Sequence, residues 1–282
     1  MSSSVILFCK DTIHRKKHTV KRFWAVYIRN TSLFEAKPTT NPMKLRALLI
    51  LITIACMAPA TFAKSDTVFT QKQPPTILWV GNSLTYTNDL PQILTFIIQK
   101  FGKSAKMVSL CQPNYALEDH WNDGQVQQLI KKGNIKYVIV QQGPSSQPYG
   151  KQSLMVYGQK LQEICKKAGA TLGFYMVWPA QVYYHTFEGV IQNYTAAAKH
   201  NQALLLPVGV VWRAYQKRNL PASLYSYDNF HPSLTGSFLA ALTIFHTLYP
   251  TQDLTQMKRK DYHQWVTDQA TFKAIIQLVL KN

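Results

Sequence analysis

Ser83 lies where an apolar run ends, in Ile77-Leu78-Trp79-Val80-Gly81-Asn82-Ser83-Leu84. Gly81 permits a sharp exit from a strand, and a helix entering near Asp89 or Leu90 would bring unpaired backbone N–H groups close to the turn. A serine hydroxyl placed there is exposed and sits in a positive local field that favours an oxyanion. Far downstream, Tyr227-Asp228-Asn229-Phe230-His231-Pro232-Ser233 sets a carboxylate three residues ahead of an imidazole. The carboxylate can accept the Nδ1–H, leaving Nε2 free to take a proton from a serine. Pro232 restricts the histidine and suits the first turn of a following helix. Each segment alone has an ordinary reading, as a turn serine or a capping loop. Together they offer a nucleophile, a base and an orienting acid.

The elements that must bring them together follow from the apolar pattern. Short runs rich in β-branched residues occur at Ile77–Val80, Met107–Leu110, Tyr137–Val140, Leu172–Val177 and Ala203–Leu206. Stretches with helical spacing separate them, at Leu90–Phe101, Gln125–Lys131, Ser153–Ala168 and Phe187–His200. Strands without polar alternation belong in a parallel sheet covered on both faces. The regular alternation predicts a three-layer α/β/α sandwich, flavodoxin-like, around a central five-stranded parallel sheet. Further helices are expected from Pro232 to Leu248 and over Trp265–Leu280. In open sheets of this kind the ligand site lies beyond the carboxyl ends of the strands. That rule gathers Gly81–Thr85, Cys111–His120, Gln141–Gln147, Trp178–His185 and Tyr225–His231 at one edge.

The Gly81-Asn82-Ser83-Leu84 block, the late Asp228-Asn229-Phe230-His231-Pro232-Ser233 block and the five-strand pattern together resemble the SGNH (GDSL-type) hydrolase superfamily, and more closely its exported bacterial members. The resemblance spans roughly residues 75–250, with Asn82 where many members have aspartate. It implies a serine esterase without cofactor or metal, in which Ser83 is the nucleophile, His231 the base and Asp228 its orienting partner. It also implies an oxyanion hole built from the Ser83 N–H, a backbone N–H after the second strand and an amide side chain after the third. The family's glycine after strand two is missing from Cys111-Gln112-Pro113-Asn114-Tyr115. Asn114 is therefore expected to give that N–H, in a left-handed conformation. The family's Gly-x-Asn-Asp is replaced by Gln141-Gln142-Gly143-Pro144. Gln142 is expected to donate as the asparagine would, with Gln141 its rival, because adjacent strand residues face opposite ways.

Trp178, Tyr183 and His185 add aromatic surface near the same edge and are candidates for substrate binding. Such a cluster suits a sugar ring, an acyl chain or an ordinary packed loop. His120 at a helix start and His246 on an apolar helix read as structural. The expected reaction is hydrolysis of acyl esters, O-acetyl groups on carbohydrate foremost. The alternatives are a lipid or short-chain acyl esterase or thioesterase, and a non-catalytic glycan-binding protein on the same fold. Phosphate or nucleotide binding at the first turn fails, since neither Gly-x-Gly-x-x-Gly nor Gly-Lys-Ser/Thr is present.

Residues 1–63 carry a different message. The basic Met43-Lys44-Leu45-Arg46, the uncharged run Ala47–Ala58 and the small-residue end Ala60-Thr61-Phe62-Ala63 read as a signal peptide over residues 43–63. As a helix the apolar run reaches only ~18 Å, short of a ~30 Å hydrocarbon core. Cleavage after Ala63 is preferred to lipid attachment at Cys56, because Thr53-Ile54-Ala55-Cys56 is a poor lipobox. The pattern points to Met43 as the start of the export signal. Residues 1–42 are then either a basic cytoplasmic leader or no part of the true protein, and they stay outside the fold, which is a single domain over 64–282. A periplasmic or secreted location follows, with membrane contact only through the signal or a lipid anchor.

The chain of 282 residues carries +18, and +10 remains once residues 1–63 are set aside. The largest cationic cluster left is Lys258-Arg259-Lys260, which reads as solvated surface rather than a nucleic-acid site. Partners are expected to be small-molecule or glycan esters. Cys111 and Cys165 read as buried free thiols, and no Cys/His spacing suggests zinc.

Overall fold

The structure, a computed structural model, describes residues 73–282. The leader, the signal-like segment with Cys56, and residues 64–72 lie outside the described residues. Five strands, β1 (Thr76–Gly81), β2 (Lys106–Cys111), β3 (Ile135–Val140), β4 (Thr171–Tyr175) and β5 (Leu204–Leu206), form one sheet in the order β2-β1-β3-β4-β5. Every neighbouring pair is parallel. All six residues of β1 are buried, as expected for an interior strand of a sheet covered on both faces.

The connecting helices are α1 (Ser83–Tyr86), α2 (Leu90–Lys100), α3 (Leu117–Asp123), α4 (Gln125–Lys131), α5 (Pro148–Lys167), α6 (Phe187–His200), α7 (Val208–Gln216), α8 (Leu234–Leu248) and α9 (Gln269–Lys281). Helices α3 to α6 pack among themselves as one layer, while α2, α7 and α9 gather on α8 as the other. Helix α8 is buried almost all round, so its apolar content reflects a central place in the layer rather than a membrane span. Among the described residues no helix is long and apolar enough to cross a membrane.

Two helix starts fall well away from the pattern-based expectation, and one helix was not expected from the pattern. Helix α5 starts at Pro148 rather than Ser153, because proline suits a first helical turn even where apolar periodicity has not begun. Helix α9 starts at Gln269, where the Asp268 side chain accepts the Thr271 N–H at 2.7 Å and caps it, leaving Trp265 in the preceding segment. Helix α7 went unread, since Val208–Trp212 is an unbroken apolar run apart from Gly209 and periodicity cannot distinguish it from a strand. The two thiols form no disulfide. Cys165 is buried and Cys111 half-buried, and burial pushes each thiol up to about 12.

Candidate active site

The nucleophile turn is built from β1 outward. Asn82 leaves the strand in an extended conformation and caps α1, its Oδ1 accepting the Leu84 N–H at 3.1 Å. Its Nδ2 donates to the Tyr115 carbonyl at 3.0 Å, which draws the loop after β2 towards the turn. Ser83 is thus the first residue of a separate one-turn helix. The longer helix α2 begins only after two left-handed residues, Asn88 (φ 56°) and Asp89 (φ 52°). The Ser83 N–H has no hydrogen-bond partner among the described residues, as a first-turn N–H should.

Beneath the turn lies a saturated polar layer. The Gln141 carboxamide accepts the Asn82 N–H (3.0 Å) and the Thr85 hydroxyl (2.8 Å), and it donates to Asn82 Oδ1 (3.0 Å) and the Gln142 carbonyl (2.6 Å). A Cβ on Gly81 would meet Gln141 Oε1 and Thr85 Oγ1 at 2.6 Å, so the glycine is required by the carboxamide packed over it. The Gly81 carbonyl accepts the Gln112 N–H at 3.0 Å and lies 2.8 Å from His120 Nε2. His120 is fully buried. Burial holds its imidazole below the ordinary value, opposed by the bond to Gly81. A neutral ring donating from Nε2 fits both facts, and it makes His120 part of the scaffold.

The second catalytic segment runs back across the same edge. His231 Nε2 lies 2.8 Å from Ser83 Oγ, across 148 residues of sequence. On the other side of the ring, Nδ1 lies 2.5 Å from Asp228 Oδ2. The remaining carboxylate oxygen, Oδ1, accepts the N–H groups of Phe230 (3.0 Å) and His231 (2.9 Å). These bonds close a tight loop through Asn229, which is left-handed at φ 57°. Burial by itself would raise the Asp228 carboxyl, but the His231 ring and the two backbone donors outweigh it and hold the group below the usual carboxylate range. The His231 side chain is about one-third exposed (31%), open enough for a small molecule to reach it. A Ser–His–Asp relay in hydrogen-bonding order is therefore present, and it has the geometry of a serine hydrolase.

The other predicted site residues divide. Asn114 is left-handed, at φ 61°, in the loop anchored by Asn82, and its N–H has no partner among the described residues. Gln142 is a correction. Its Nε2 is spent on Ser145 Oγ (2.6 Å) and the Gly150 carbonyl (3.2 Å), while its Oε1 accepts from the Leu117 N–H (3.3 Å) and Ser153 Oγ (3.1 Å). Gln141, its rival, is equally engaged in the layer under the turn. The first backbone N–H past β3 that lacks a partner among the described residues is that of Gly143.

Trp178 is the second correction. It is fully buried, stacked on Trp212 at 3.6 Å between ring centroids, and its indole N–H donates to the Phe230 carbonyl at 3.0 Å. It cannot touch substrate, and it braces the catalytic loop instead. Tyr183, by contrast, is 59% exposed and lines a cleft of about 570 Å³ with Pro144, Ser146, Gln147, Ala180 and Phe230. Phe230 ties this cleft to the base, its ring lying 5.1 Å from the His231 ring between centroids. His185 is exposed beside Tyr183 but is not part of the cleft wall. Sequence reasoning missed Phe230 and Gln181, whose N–H donates to the Asn229 carbonyl at 2.8 Å. Phe230 adjoins the Asp-x-x-His pair, and that adjacency was the available signal.

No protein-family model matches the sequence, and no curated protein does. Solved structures do match. A protein from Slackia heliotrinireducens assigned to the SGNH hydrolases is 25% identical, with a TM-score of 0.54 over 62% of this chain and 99% of that one. The chain has the fold of the SGNH hydrolases. A DUF4886 family protein from Bacteroides uniformis aligns over 74% of this chain and 94% of its own, with a TM-score of 0.63 at 16% identity. A protein of Desulfitobacterium hafniense assigned to the lipolytic G-D-S-L family aligns over 61% and 98%, at 16% identity and a TM-score of 0.50. At that identity the last two likenesses concern the fold alone.

Proposed function

We propose that the protein is a serine esterase that removes short acyl groups, O-acetyl foremost, from a carbohydrate. The observation that carries the reading is the unbroken relay from Ser83 Oγ through the His231 ring to Asp228. In the first step the Ser83 oxygen attacks the ester carbonyl while its proton passes to His231 Nε2, and Asp228 steadies the imidazolium. The tetrahedral oxyanion is held by the N–H groups of Ser83 and Asn114, with that of Gly143 in the place of the lost carboxamide. Collapse expels the alcohol, which takes the proton back from His231 and leaves an acyl-serine. Water activated by the same histidine then releases the acid.

The cleft beside His231 supports a neutral ester. Its wall contains no charged side chain, and it offers Tyr183 and Phe230 as rings with Ser146, Gln147 and Thr186 as polar partners. At about 570 Å³ it falls within the range of small-molecule sites, about 300–1,000 Å³. Tyr86, just after the nucleophile, and Tyr227, beside Asp228, are also exposed, at 43% and 97%. Exposed aromatic faces with nearby amide and hydroxyl groups suit the mixed apolar and polar surface of a sugar ring. The signal-like segment at 43–63 supports an exported, periplasmic or secreted setting where such polymers occur. A second reading, an esterase or thioesterase for longer acyl chains, is favoured by Pro144, Pro179, Ala180 and Phe230 in the same wall.

The decisive experiment is labelling with a fluorophosphonate probe. Wild-type protein is expected to react, while Ser83→Ala and His231→Ala proteins, folded by circular dichroism, are expected not to. Equal labelling of the Ser83→Ala protein would reject the assignment, and an unreactive wild type would favour a non-catalytic glycan binder. A panel of acetylated sugars against longer-chain esters then separates the two substrate readings.

A further inference from the structure

The two catalytic segments are far apart in sequence, and few bonds join them. Among the described residues, only three hydrogen bonds connect the stretch from Ser83 to Asp89 with the stretch from Leu224 to Ser237. One is the Ser83–His231 bond itself. The other two both come from the Asn88 side-chain amide, which donates to the Pro232 carbonyl at 2.9 Å and to Ser237 Oγ at 3.0 Å. Each hydrogen of the amide is therefore used, one on the residue directly after the base and one on the first turn of α8.

The backbone is bent to make this possible. Asn88 (φ 56°, ψ 18°) and Asp89 (φ 52°, ψ 55°) are consecutive non-glycine residues in the left-handed region. Such conformations persist only where surrounding contacts hold them, and they gather at functional sites. Asparagine is among the few side chains that tolerate the region. The reversal at 88–89 carries the chain from α1 into α2 and aims the amide back at the base loop. Elsewhere that loop is tied to itself (Ser226 N–H to the His231 carbonyl, 2.8 Å) and to the segment after β4, through Trp178 and Gln181. None of those hydrogen bonds reaches the Ser83 turn itself.

We propose that Asn88 is a positioning residue that sets the approach of His231 to Ser83. This role rests on the esterase reading. The amide acts on the reaction through Pro232 and α8 and touches no reacting atom.

Two variants isolate the amide from the backbone. Asn88→Gly keeps the left-handed conformation and removes the side chain. Asn88→Asp keeps the shape and the conformational tolerance but offers the Pro232 carbonyl an acceptor oxygen in place of N–H. With p-nitrophenyl acetate as substrate and active sites counted by fluorophosphonate titration, both are expected to show kcat per site about tenfold lower, the worth of one to two hydrogen bonds. KM should stay within about twofold, because the substrate's own contacts are untouched. A merely structural role would lower the midpoint of thermal unfolding and the count of active sites while leaving kcat per site unchanged, and that result in both variants would overturn the proposal. Should position 88 prove intolerant, Ser237→Ala removes one partner of the amide and is expected to cost about threefold in kcat per site; no change there would equally overturn it. Wild-type protein without turnover or Ser83-dependent labelling would instead defeat the esterase reading, and with it this role.

Discussion

The loop that carries the nucleophile and the loop that follows β3 leave the same edge of the sheet from neighbouring strands, yet they are built in opposite ways. After β1, nearly every polar group is committed: Asn82 to Leu84, Tyr115 and Gln141; Thr85 to Gln141; the Gly81 carbonyl to Gln112 and His120. After β3, two buried glutamines turn inward, Gln141 into that layer and Gln142 onto Leu117, Ser145, Gly150 and Ser153, and what faces the cleft is Pro144, Ser146 and the exposed Gln147. The first loop spends its hydrogen bonds on holding one atom in place, and the second leaves side chains free for a ligand. On the proposed esterase reading, Ser83 is held mainly by the first loop, while the second contributes the Gly143 N–H together with part of the cleft wall.

The largest expected effect tests the committed side. Asp228→Asn preserves the shape of the loop but offers the His231 ring an amide, disturbing the tautomer that leaves Nε2 free. A fall of about 10³–10⁴ in kcat is expected by analogy with other triads. The pH dependence gives an independent reading of the same carboxylate. Because bonds from His231 and two backbone N–H groups hold Asp228 below the usual carboxylate range, its carboxyl should stay ionised throughout that range and release the ring only as pH falls below it. An Asp228 carboxyl that NMR finds protonating at or above the usual range would contradict this bonding. An Asp228→Asn protein retaining more than a tenth of wild-type kcat would show that the carboxylate does not orient the base.

A pair of glycines sharpens the contrast between the loops. Gly81→Ala forces a Cβ to within 2.6 Å of Gln141 Oε1 and Thr85 Oγ1, both buried and bonded to each other. Overpacking there is expected to cost about 1–3 kcal/mol. Gly143→Ala adds a Cβ that meets nothing within 4 Å, so its stability should change by about 0.5 kcal/mol or less. Urea unfolding of the two variants measures the difference, and equal destabilisation would mean that the layer under Ser83 is not packed as described.

The same contrast decides what the sequence could reveal. Strands buried on both faces leave uninterrupted apolar runs, so β1 to β5 are readable, and the rule that sites lie beyond strand ends groups Ser83 with Asp228 and His231. Backbone conformation was readable at Asn114, because asparagine is one of the few non-glycine residues that tolerate the left-handed region. Side-chain direction was not. The expectation for Gln142 assumed that strand alternation continues past Val140, but β3 ends there and both carboxamides turn inward, Gln141 under the Ser83 turn and Gln142 onto Ser145 and Gly150. Trp178 misled for a related reason. Its neighbours Tyr183 and His185 suggest an aromatic surface, whereas stacking on Trp212, 34 positions later, buries it. Neither fact leaves a local trace, because both depend on partners distant in sequence.

The smallest effect is expected on the open side of the comparison. Tyr183 lines the cleft, is 59% exposed and lies on the segment after β4 rather than in the bonded layer. Its replacement by alanine should leave the fold alone, since no hydrogen bond from its side chain holds another element among the described residues. What it removes is one face of the cleft. For an acetylated oligosaccharide that face is worth about 1–1.5 kcal/mol of stacking, or about tenfold in KM. For p-nitrophenyl acetate, too small to fill about 570 Å³, the loss should be far less. The ratio of kcat/KM between the two substrates is therefore the sensitive quantity. A ratio that Tyr183→Ala leaves unchanged would move substrate recognition off this wall, whereas a selective loss on long-chain esters would assign the cleft to an acyl chain.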